Sequence, residues 1–270
     1  MASDNCSALA ETVDHALWIG TDDGLLRWQD HRLTVFDLGA TNQTQRNVRY
    51  LSATRDGGLW IATFDGLYFL RDGKVARYST ADGLQSDNIF SVAEDLEGRV
   101  WVGAELLWGH GGLQRREAGA KRFVLVPGQG TSPELKPTCF LPDAKGGMWW
   151  GNAQGLHHFS DWAMQDYHMA DGLSGEVVVH LLPARAGSLL VQVTGIEGHP
   201  GRSGLHRVID GHVEEIAPPE NGVKHDLGSR LSQLAVLGEL ANRSLDTEAD
   251  ARPHLGKPRQ TTGGDFSGAR

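Results

Sequence analysis

The feature that most constrains this chain is a strand-like segment that returns along it at nearly constant spacing. GLWIATFDGLYFL (58–70) has altered copies that begin at Leu17, Val100 and Met148, and a weaker copy begins at Leu189. The repeat anchors are Trp18, Trp60, Trp101, Trp149 and Leu190, at steps of 42, 41, 48 and 41 residues. A period of about 40–45 residues with a Trp and a Gly in each copy is typical of a β-propeller with one blade per period.

Each copy predicts a series of short strands. LWIGT is rich in β-forming residues and is followed by Gly24, which supplies the positive φ of a tight hairpin. Further apolar runs follow, and a polar linker such as 81–88 leads to the next copy. Four short strands per period form one antiparallel blade. The predicted blades fall near 6–39, 48–80, 89–127, 137–170 and 178–217.

Three segments carry a family resemblance. YSTADGLQSDNIFSVAEDLEGRVWVG, YHMADGLSGEVVVHLL and LWIGTDDGL resemble the two-component regulator propeller repeat, which builds the periplasmic sensor regions of hybrid two-component systems. The resemblance covers about residues 6–217 and is strongest in blades two and three. It implies an all-β propeller that senses a ligand outside the cytoplasm. It also implies a role in signal transduction and phosphorelay through a histidine kinase or similar output domain.

The chain also departs from that family. Those sensors resemble a pair of seven-bladed propellers followed by a β-sandwich, a membrane helix and a kinase, whereas about five blades are visible here. No apolar run reaches the ~18 residues of a membrane span, and MASDNCSALAETVD lacks the features of a secretory signal. We therefore expect a fragment, a truncated or frame-altered product, or a small propeller. Its location is periplasmic by resemblance, and cytoplasmic if the chain is expressed as it stands.

Composition and spacing argue against several classes of partner and site. The net charge of −9 disfavours nucleic acid and contact with anionic membranes, because both attract basic patches. Cys6 and Cys139 fall on the first strands of blades one and four and are predicted to be buried free thiols. His157 and His158 are adjacent on a predicted strand, so they point to opposite faces. Without an HExxH or paired CxxC motif, the sequence predicts no metal site and no cofactor.

The repeated residues have structural interpretations. A Trp that occurs at the same place in successive blades is expected to pack between neighbouring blades, rather than to form a platform for carbohydrate. In the linkers Asp82-Gly83-Leu84 and Asp171-Gly172-Leu173, Asp and Gly fit a turn and Leu fits a plug between blades. Trp28 lies outside this pattern, on a third strand, and is expected to be partly exposed.

Two insertions supply the candidate binding residues. Trp108 and His110 lie between the second and third strands of blade three, and Glu197 and His199 lie at the same place in blade five. In a four-stranded blade, this turn and the linker to the next blade lie at the same end. Because binding residues concentrate on loops held by a rigid scaffold, we expect this loop face to bind a small molecule or an oligosaccharide. Surface insertions without a function are the alternative.

Other function classes stay open. One alternative is a stand-alone lyase or hydrolase that resembles virginiamycin B lyase, and another is a protein-interaction scaffold. An enzyme would need acid–base residues at the axis, where the first strands offer Glu94, Asp95 and His180 without a repeated polar pattern. The sequence contains no GxSxG elbow, no phosphate-binding glycine loop and no diagnostic Ser/His/Asp spacing. No catalytic residues are predicted, and the chain is interpreted as a non-enzyme.

The repeat fades beyond the fifth blade. We divide the chain into propeller blades at 1–217 and a remainder at 218–270, in which 227–245 has helix-like Leu spacing or represents a degenerate sixth blade. The last stretch is polar and Gly-rich and is predicted to be disordered. Five blades without a closing strand would leave apolar blade faces exposed, and self-association through these faces is expected.

Overall fold

The computed structural model describes residues 5–107, 110–126, 136–160, 163–184, 187–195 and 201–216, and gives the backbone alone for 105–107 and 110–111. Five four-stranded antiparallel sheets follow one another along the described chain, and each keeps its strands in sequence order. This is the predicted all-β propeller architecture of four-stranded blades. The predicted remainder at 218–270 lies outside the described residues.

The strand bounds agree with the blades predicted from the repeat. Blade one contains β1 (Cys6–Glu11), β2 (Leu17–Thr21), β3 (Gly24–Gln29) and β4 (Arg32–Phe36). Blade two contains β5 (Val48–Ala53), β6 (Leu59–Thr63), β7 (Gly66–Arg71) and β8 (Lys74–Tyr78). Blade three contains β9 (Ile89–Glu94), β10 (Val100–Leu107), β11 (His110–Arg116) and β12 (Val124–Leu125).

The remaining two blades repeat the pattern. Blade four contains β13 (Cys139–Pro142), β14 (Met148–Asn152), β15 (Gly155–Ser160) and β16 (Ala163–Tyr167). Blade five contains β17 (Val177–Pro183), β18 (Leu189–Thr194), β19 (Gly204–Ile209) and β20 (His212–Ile216). One helical turn, α1 (Gln43–Arg46), and two 3-10 turns, Thr80–Asp82 and Met169–Asp171, lie in the linkers between blades.

The first strand of each blade lies on the inside of the array. The strands β1, β5, β9, β13 and β17 contact one another in this order, whereas the fourth strands β4 and β8 are mostly exposed. Residues on the first strands therefore surround a common axis, and the fourth strands form the outer edge. Cys6 and Cys139 occupy first strands as predicted; both are free thiols, with Cys139 buried and Cys6 only half-buried.

Four apolar clusters fill the four interfaces between successive blades, and the repeated Trp residues belong to them. Trp18 packs against blade two, Trp60 against blade three and Trp101 against blade four, and all three are buried. Trp149 packs against blade five but is only partly buried. Each of these Trp side chains thus brings apolar area to the face of the next blade.

Hydroxyl groups near the axis tie three of these interfaces together. The Ser7 hydroxyl of blade one donates to the Val48 carbonyl of blade two. The Ser91 hydroxyl donates to the Pro137 carbonyl over 2.8 Å, and the Thr138 hydroxyl donates to the Val178 carbonyl over 2.6 Å. At these three interfaces, the inner end of one blade thus holds the start of the next with a polar contact that complements the apolar packing.

The linker before blade three is a compact turn that plugs the seam between blades. Asp82 accepts a hydrogen bond from the Ser79 N–H over 2.9 Å, and Gly83 follows with φ of +95°. A Cβ atom on Gly83 would lie 2.4 Å from the Phe123 carbonyl oxygen, so a side chain is excluded for steric reasons as well. Leu84 is then buried in the interface between blades two and three. The predicted turn and plug are confirmed.

Candidate functional site at the propeller axis

A cavity of about 430 Å³ lies where the five first strands meet. Each blade contributes to its wall, for example through Leu9, Tyr50, Phe90, Cys139 and Leu181. A concave site built from several rigid strands is the common setting for a small-molecule ligand. The axis is therefore the candidate site.

One end of this cavity carries an arginine held between two aromatic rings. The Arg49 guanidinium carbon lies 4.2 Å from the centre of the Phe64 ring and 4.2 Å from that of Phe90. An Arg49 N–H also donates to the Asn88 side-chain oxygen over 2.8 Å. Such cation–π contacts orient a guanidinium and reduce its mobility. Asn88 belongs to the linker that enters blade three, so this contact joins blade two to blade three. Among the four described interfaces, this is the one without a hydroxyl contact of the kind made by Ser7, Ser91 and Thr138.

A second cation lies beside the same ring. The Lys136 ammonium is 4.1 Å from the centre of the Phe90 ring. We call Arg49, Phe64, Asn88, Phe90 and Lys136 the axial mouth. Among the described residues that line the cavity there are Arg49 and a half-buried histidine, but no carboxylate. The axial mouth therefore brings two cationic side chains together in a chain of net charge −9.

The axial mouth lies on the predicted loop face. Phe64 belongs to the turn between β6 and β7, and Asn88 belongs to the linker between blades two and three. In the same region the Gly66 N–H donates to the Asp87 carbonyl over 2.6 Å, which joins that turn to that linker. The prediction that these two kinds of loop share one end of the blade is confirmed for blade two.

The groups deeper in the cavity are held in their neutral forms. Burial raises the pKa of Tyr50, against a smaller opposing effect of the Phe140 backbone. Burial likewise raises the pKa of the Cys139 thiol to about 12, against smaller opposing effects of hydrogen bonds from Thr138 and Gly151. A neutral phenol and a neutral thiol are a poor base and a poor nucleophile near neutral pH.

The candidate residues predicted from the insertions are not located by the structure. Trp108, Glu197 and His199 lie outside the described residues, and His110 begins β11 without a described side chain. Their role in binding stays a prediction. Sequence reasoning selected the loop face but missed Arg49, because an isolated arginine on a strand carries no motif.

The histidines of blade four serve packing. His157 stacks on Trp150 at 5.3 Å between ring centres and shares a 2.7 Å hydrogen bond with Asp166. His158 stacks on Trp149 at 3.7 Å on the opposite face of the same strand. Across the part of the chain that the structure describes, no three His, Cys, Asp or Glu side chains converge as metal ligands.

One Ser–His pair escaped the sequence analysis. His206 is fully buried, and its Nε2 lies 2.9 Å from the Ser174 hydroxyl and accepts the Ser174 N–H over 3.1 Å. In blade three the same contact runs from the Gln85 N–H to the Gln114 side-chain oxygen over 3.0 Å. Since glutamine replaces histidine at the equivalent position, the pair holds the linker against the third strand and needs no catalytic interpretation.

No family model matches the sequence, and no curated protein matches it. Among solved structures, the chain is similar to the extracellular domain of a putative hybrid two component system from B. thetaiotaomicron, with a TM-score of 0.64 and 18% identity. That match covers 79% of this chain and 29% of the other. The chain has the propeller fold of this sensor domain.

Two further comparisons give the same fold. The extracellular domain of a putative one component system from B. thetaiotaomicron matches with a TM-score of 0.60 and 19% identity, over 81% of this chain and 28% of that one. Virginiamycin B lyase from Staphylococcus aureus matches with a TM-score of 0.60 and 15% identity, over 80% and 70%. The chain thus spans less than a third of the length of these two sensor domains. Within the described residues, no helix has the length and apolarity needed to cross a bilayer.

Proposed function

We propose that residues 5–216 form a non-catalytic sensing module that binds an anionic small molecule at the axial mouth. The observation that carries this proposal is the Arg49 guanidinium, fixed between Phe64 and Phe90 at the wall of the axial cavity. The resemblance of the repeat to sensor propellers and the fold shared with extracellular sensor domains support a role in ligand sensing. A periplasmic location and a phosphorelay output are part of the same proposal.

The chemistry of the axial mouth favours a carboxylate, sulfate or phosphate group on the ligand. A guanidinium that is already oriented loses little side-chain entropy when it binds an oxyanion. The Lys136 ammonium adds a second positive charge beside the same ring. Phe64 is 37% exposed, so its ring also offers apolar surface to the body of a ligand. An acidic sugar or a sugar phosphate has both features.

The same site gives less support to catalysis. An elimination or hydrolysis at the axis would need a group that gains or loses a proton near neutral pH. Tyr50 and Cys139 have raised pKa values that keep both neutral, and no carboxylate lies among the described residues of the cavity wall. His180 is the one side chain of that wall whose type takes up a proton near neutral pH, so the lyase-like alternative rests on this histidine and on the shared fold.

The proposal is tested by thermal denaturation with matched pairs of ligands. Galacturonate is compared with galactose, and glucose 6-phosphate with glucose. A ligand at 100 times its Kd stabilises the folded state by about 2.7 kcal/mol, which raises the Tm of a domain of this size by roughly 5–10 °C. We expect the charged member of at least one pair to produce such a shift and the neutral member to produce none.

Two variants locate the site. Arg49→Gln is expected to lose the shift, whereas Arg32→Gln, on the exposed fourth strand of blade one, is expected to keep it. An equal shift in Arg49→Gln would move the site away from the axial mouth. Conversion of the bound ligand by the wild-type chain, detected by mass spectrometry and lost in Tyr50→Phe, would replace the sensor proposal with the enzyme alternative.

A further inference from the structure

Blade one presents an apolar sheet face to the outside. Leu9, Ile19, Leu26 and Val35 pair across β1 to β4 in one continuous row. Of these, Leu9 is 43% exposed and Val35 is 74% exposed, whereas Leu26 is only 8% exposed. Exposed leucine and valine side chains at the two ends of such a row form the kind of surface that soluble proteins usually cover.

A second row lies directly beside the first. Leu17, Trp28 and Leu33 pair across β2 to β4 on the same face. Trp28 is 42% exposed and Leu33 is 58% exposed. We call these two rows the blade-one face. It holds four of the nine large apolar side chains that are exposed among the described residues, so the exposure is concentrated rather than scattered.

The same positions are covered in blade two. Leu51 and Leu70 stand one repeat of 42 residues after Leu9 and Trp28. Leu51 is only 6% exposed and Leu70 only 5%, because blade one packs its Trp18 face against them. The difference between the two blades is the presence of a preceding blade. The blade-one face therefore has the register and composition of a surface that receives a blade.

We propose that the blade-one face binds a further four-stranded propeller blade, which presents a large aromatic side chain from the second position of its second strand. The fold comparison supports this occupant. The five blades described here match 70% of the virginiamycin B lyase chain, which leaves a length of roughly two blades for the rest of that propeller. An equivalent blade in that remainder would stand where the blade-one face is open.

A second copy of this chain fits the face less well. A blade in the same polypeptide avoids the entropic cost of association. Moreover, Leu190, which takes the Trp position in blade five, is only 2% exposed, so this side chain is not available to pack against blade one of a second copy.

The rest of the chain also lacks the required side chain. Residues 217–270 contain no Trp and no Tyr, and Phe266 is their single Phe. Every interface between described blades uses a Trp from the second strand of the preceding blade. The occupant that we propose is accordingly a blade of the type seen at 48–80, supplied by propeller sequence other than 217–270.

The test adds such a blade. In an extended variant of the full chain, a copy of residues 48–88 is placed immediately before Cys6. Cys6 begins β1 as Ile89 begins β9, so the added copy joins blade one in the way that the original segment joins blade three. Hydrogen exchange of the segment 24–36 is followed by mass spectrometry, together with the molar mass by light scattering. We expect exchange of this segment to slow at least about tenfold, in a monomer, relative to the chain of 270 residues. The matched control carries Trp60→Asp in the added copy only, and should lose the protection.

Three outcomes would overturn the proposal. Unchanged exchange in the extended variant would show that a repeat blade does not fit the face. Slow exchange of 24–36 in the monomeric chain without the extension would show that another part of the chain already covers it. Slow exchange that depends on concentration, with a dimeric mass, would identify a second copy as the occupant.

Discussion

Trp101 offers a demanding test of how the blades are held together. Its side chain is fully buried between blades three and four, where its ring stacks on Trp150 with 6.2 Å between centres. Its indole N–H donates to the Asp95 carboxylate over 2.6 Å. Substitution by alanine removes both the apolar contact and this hydrogen bond.

The cost of Trp101→Ala follows from these contacts. Replacing a buried aromatic residue with alanine costs about 3–5 kcal/mol of unfolding free energy. Asp95 keeps its ion pair with Arg99 at 2.6 Å and two backbone N–H donors, so the carboxylate is not left without partners. We therefore expect a loss of about 4 kcal/mol and no large additional penalty for a buried charge. Trp28→Ala, at an exposed position, should cost less than about 1 kcal/mol.

The assay is urea denaturation followed by circular dichroism, with thermal denaturation as a second measurement. A loss of 4 kcal/mol corresponds to a fall in Tm of roughly 8–16 °C for a domain of this size. If Trp101→Ala does not fold, Trp101→Phe keeps most of the packing and should lose about half as much. The reasoning is refuted if Trp101→Ala costs no more than Trp28→Ala, since the Trp anchors would then not stabilise the blade interfaces.

Two further predictions concern a linker and a buried histidine. Gly83→Ala should lower the free energy of unfolding by more than about 2 kcal/mol, because residue 83 has φ of +95° and a Cβ atom there would meet a carbonyl oxygen. Gly39→Ala, with open space around the residue, should lower it by about 1 kcal/mol. Both values are measured by chemical denaturation. Burial lowers the pKa of His206, so the unfolded state takes up the proton first as pH falls. The contribution of His206 to the free energy of unfolding should be fully present above about pH 6.5. Below that pH it should decline by at most about 1.4 kcal/mol per pH unit. His206→Gln should reduce this decline, whereas His212→Gln at an exposed position should not; an equal effect of both would contradict the assignment.

The repeat made most of the fold predictable. A Trp strand and a Gly turn at a period near 42 residues specify where each blade begins, because every blade uses the same local chemistry. Packing of Trp18, Trp60 and Trp101 between blades followed from their recurrence alone. The pair Trp149 and Trp150 shows where alignment was incomplete: Trp149 continues the series toward blade five, while the more deeply buried Trp150 packs back on blade three.

The candidate site was much less predictable. Arg49, Phe64 and Phe90 are separated by 15 and 26 residues and come from two blades, and their convergence depends on the angle between those blades. No local pattern encodes that angle. The Ser174–His206 contact was missed for the same reason, although the shared Gly-Leu sequence before Gln114 and His206 marks the two positions as equivalent.

The polar contacts near the axis have a mechanical consequence. Each of these hydrogen bonds joins one blade to the next at its inner end, and the donors are Ser7, Arg49, Ser91 and Thr138. Small rotations between blades would therefore pivot at the inner end. Three strand spacings separate the inner from the outer strand, or about 14 Å, and a rotation of about 5° would move the outer edge by about 1 Å. Of these four donor side chains, only Arg49 carries a charge. An anion that drew the Arg49 guanidinium away from Asn88 would loosen the pivot between blades two and three. The small change at the centre would then appear as a larger displacement at the rim.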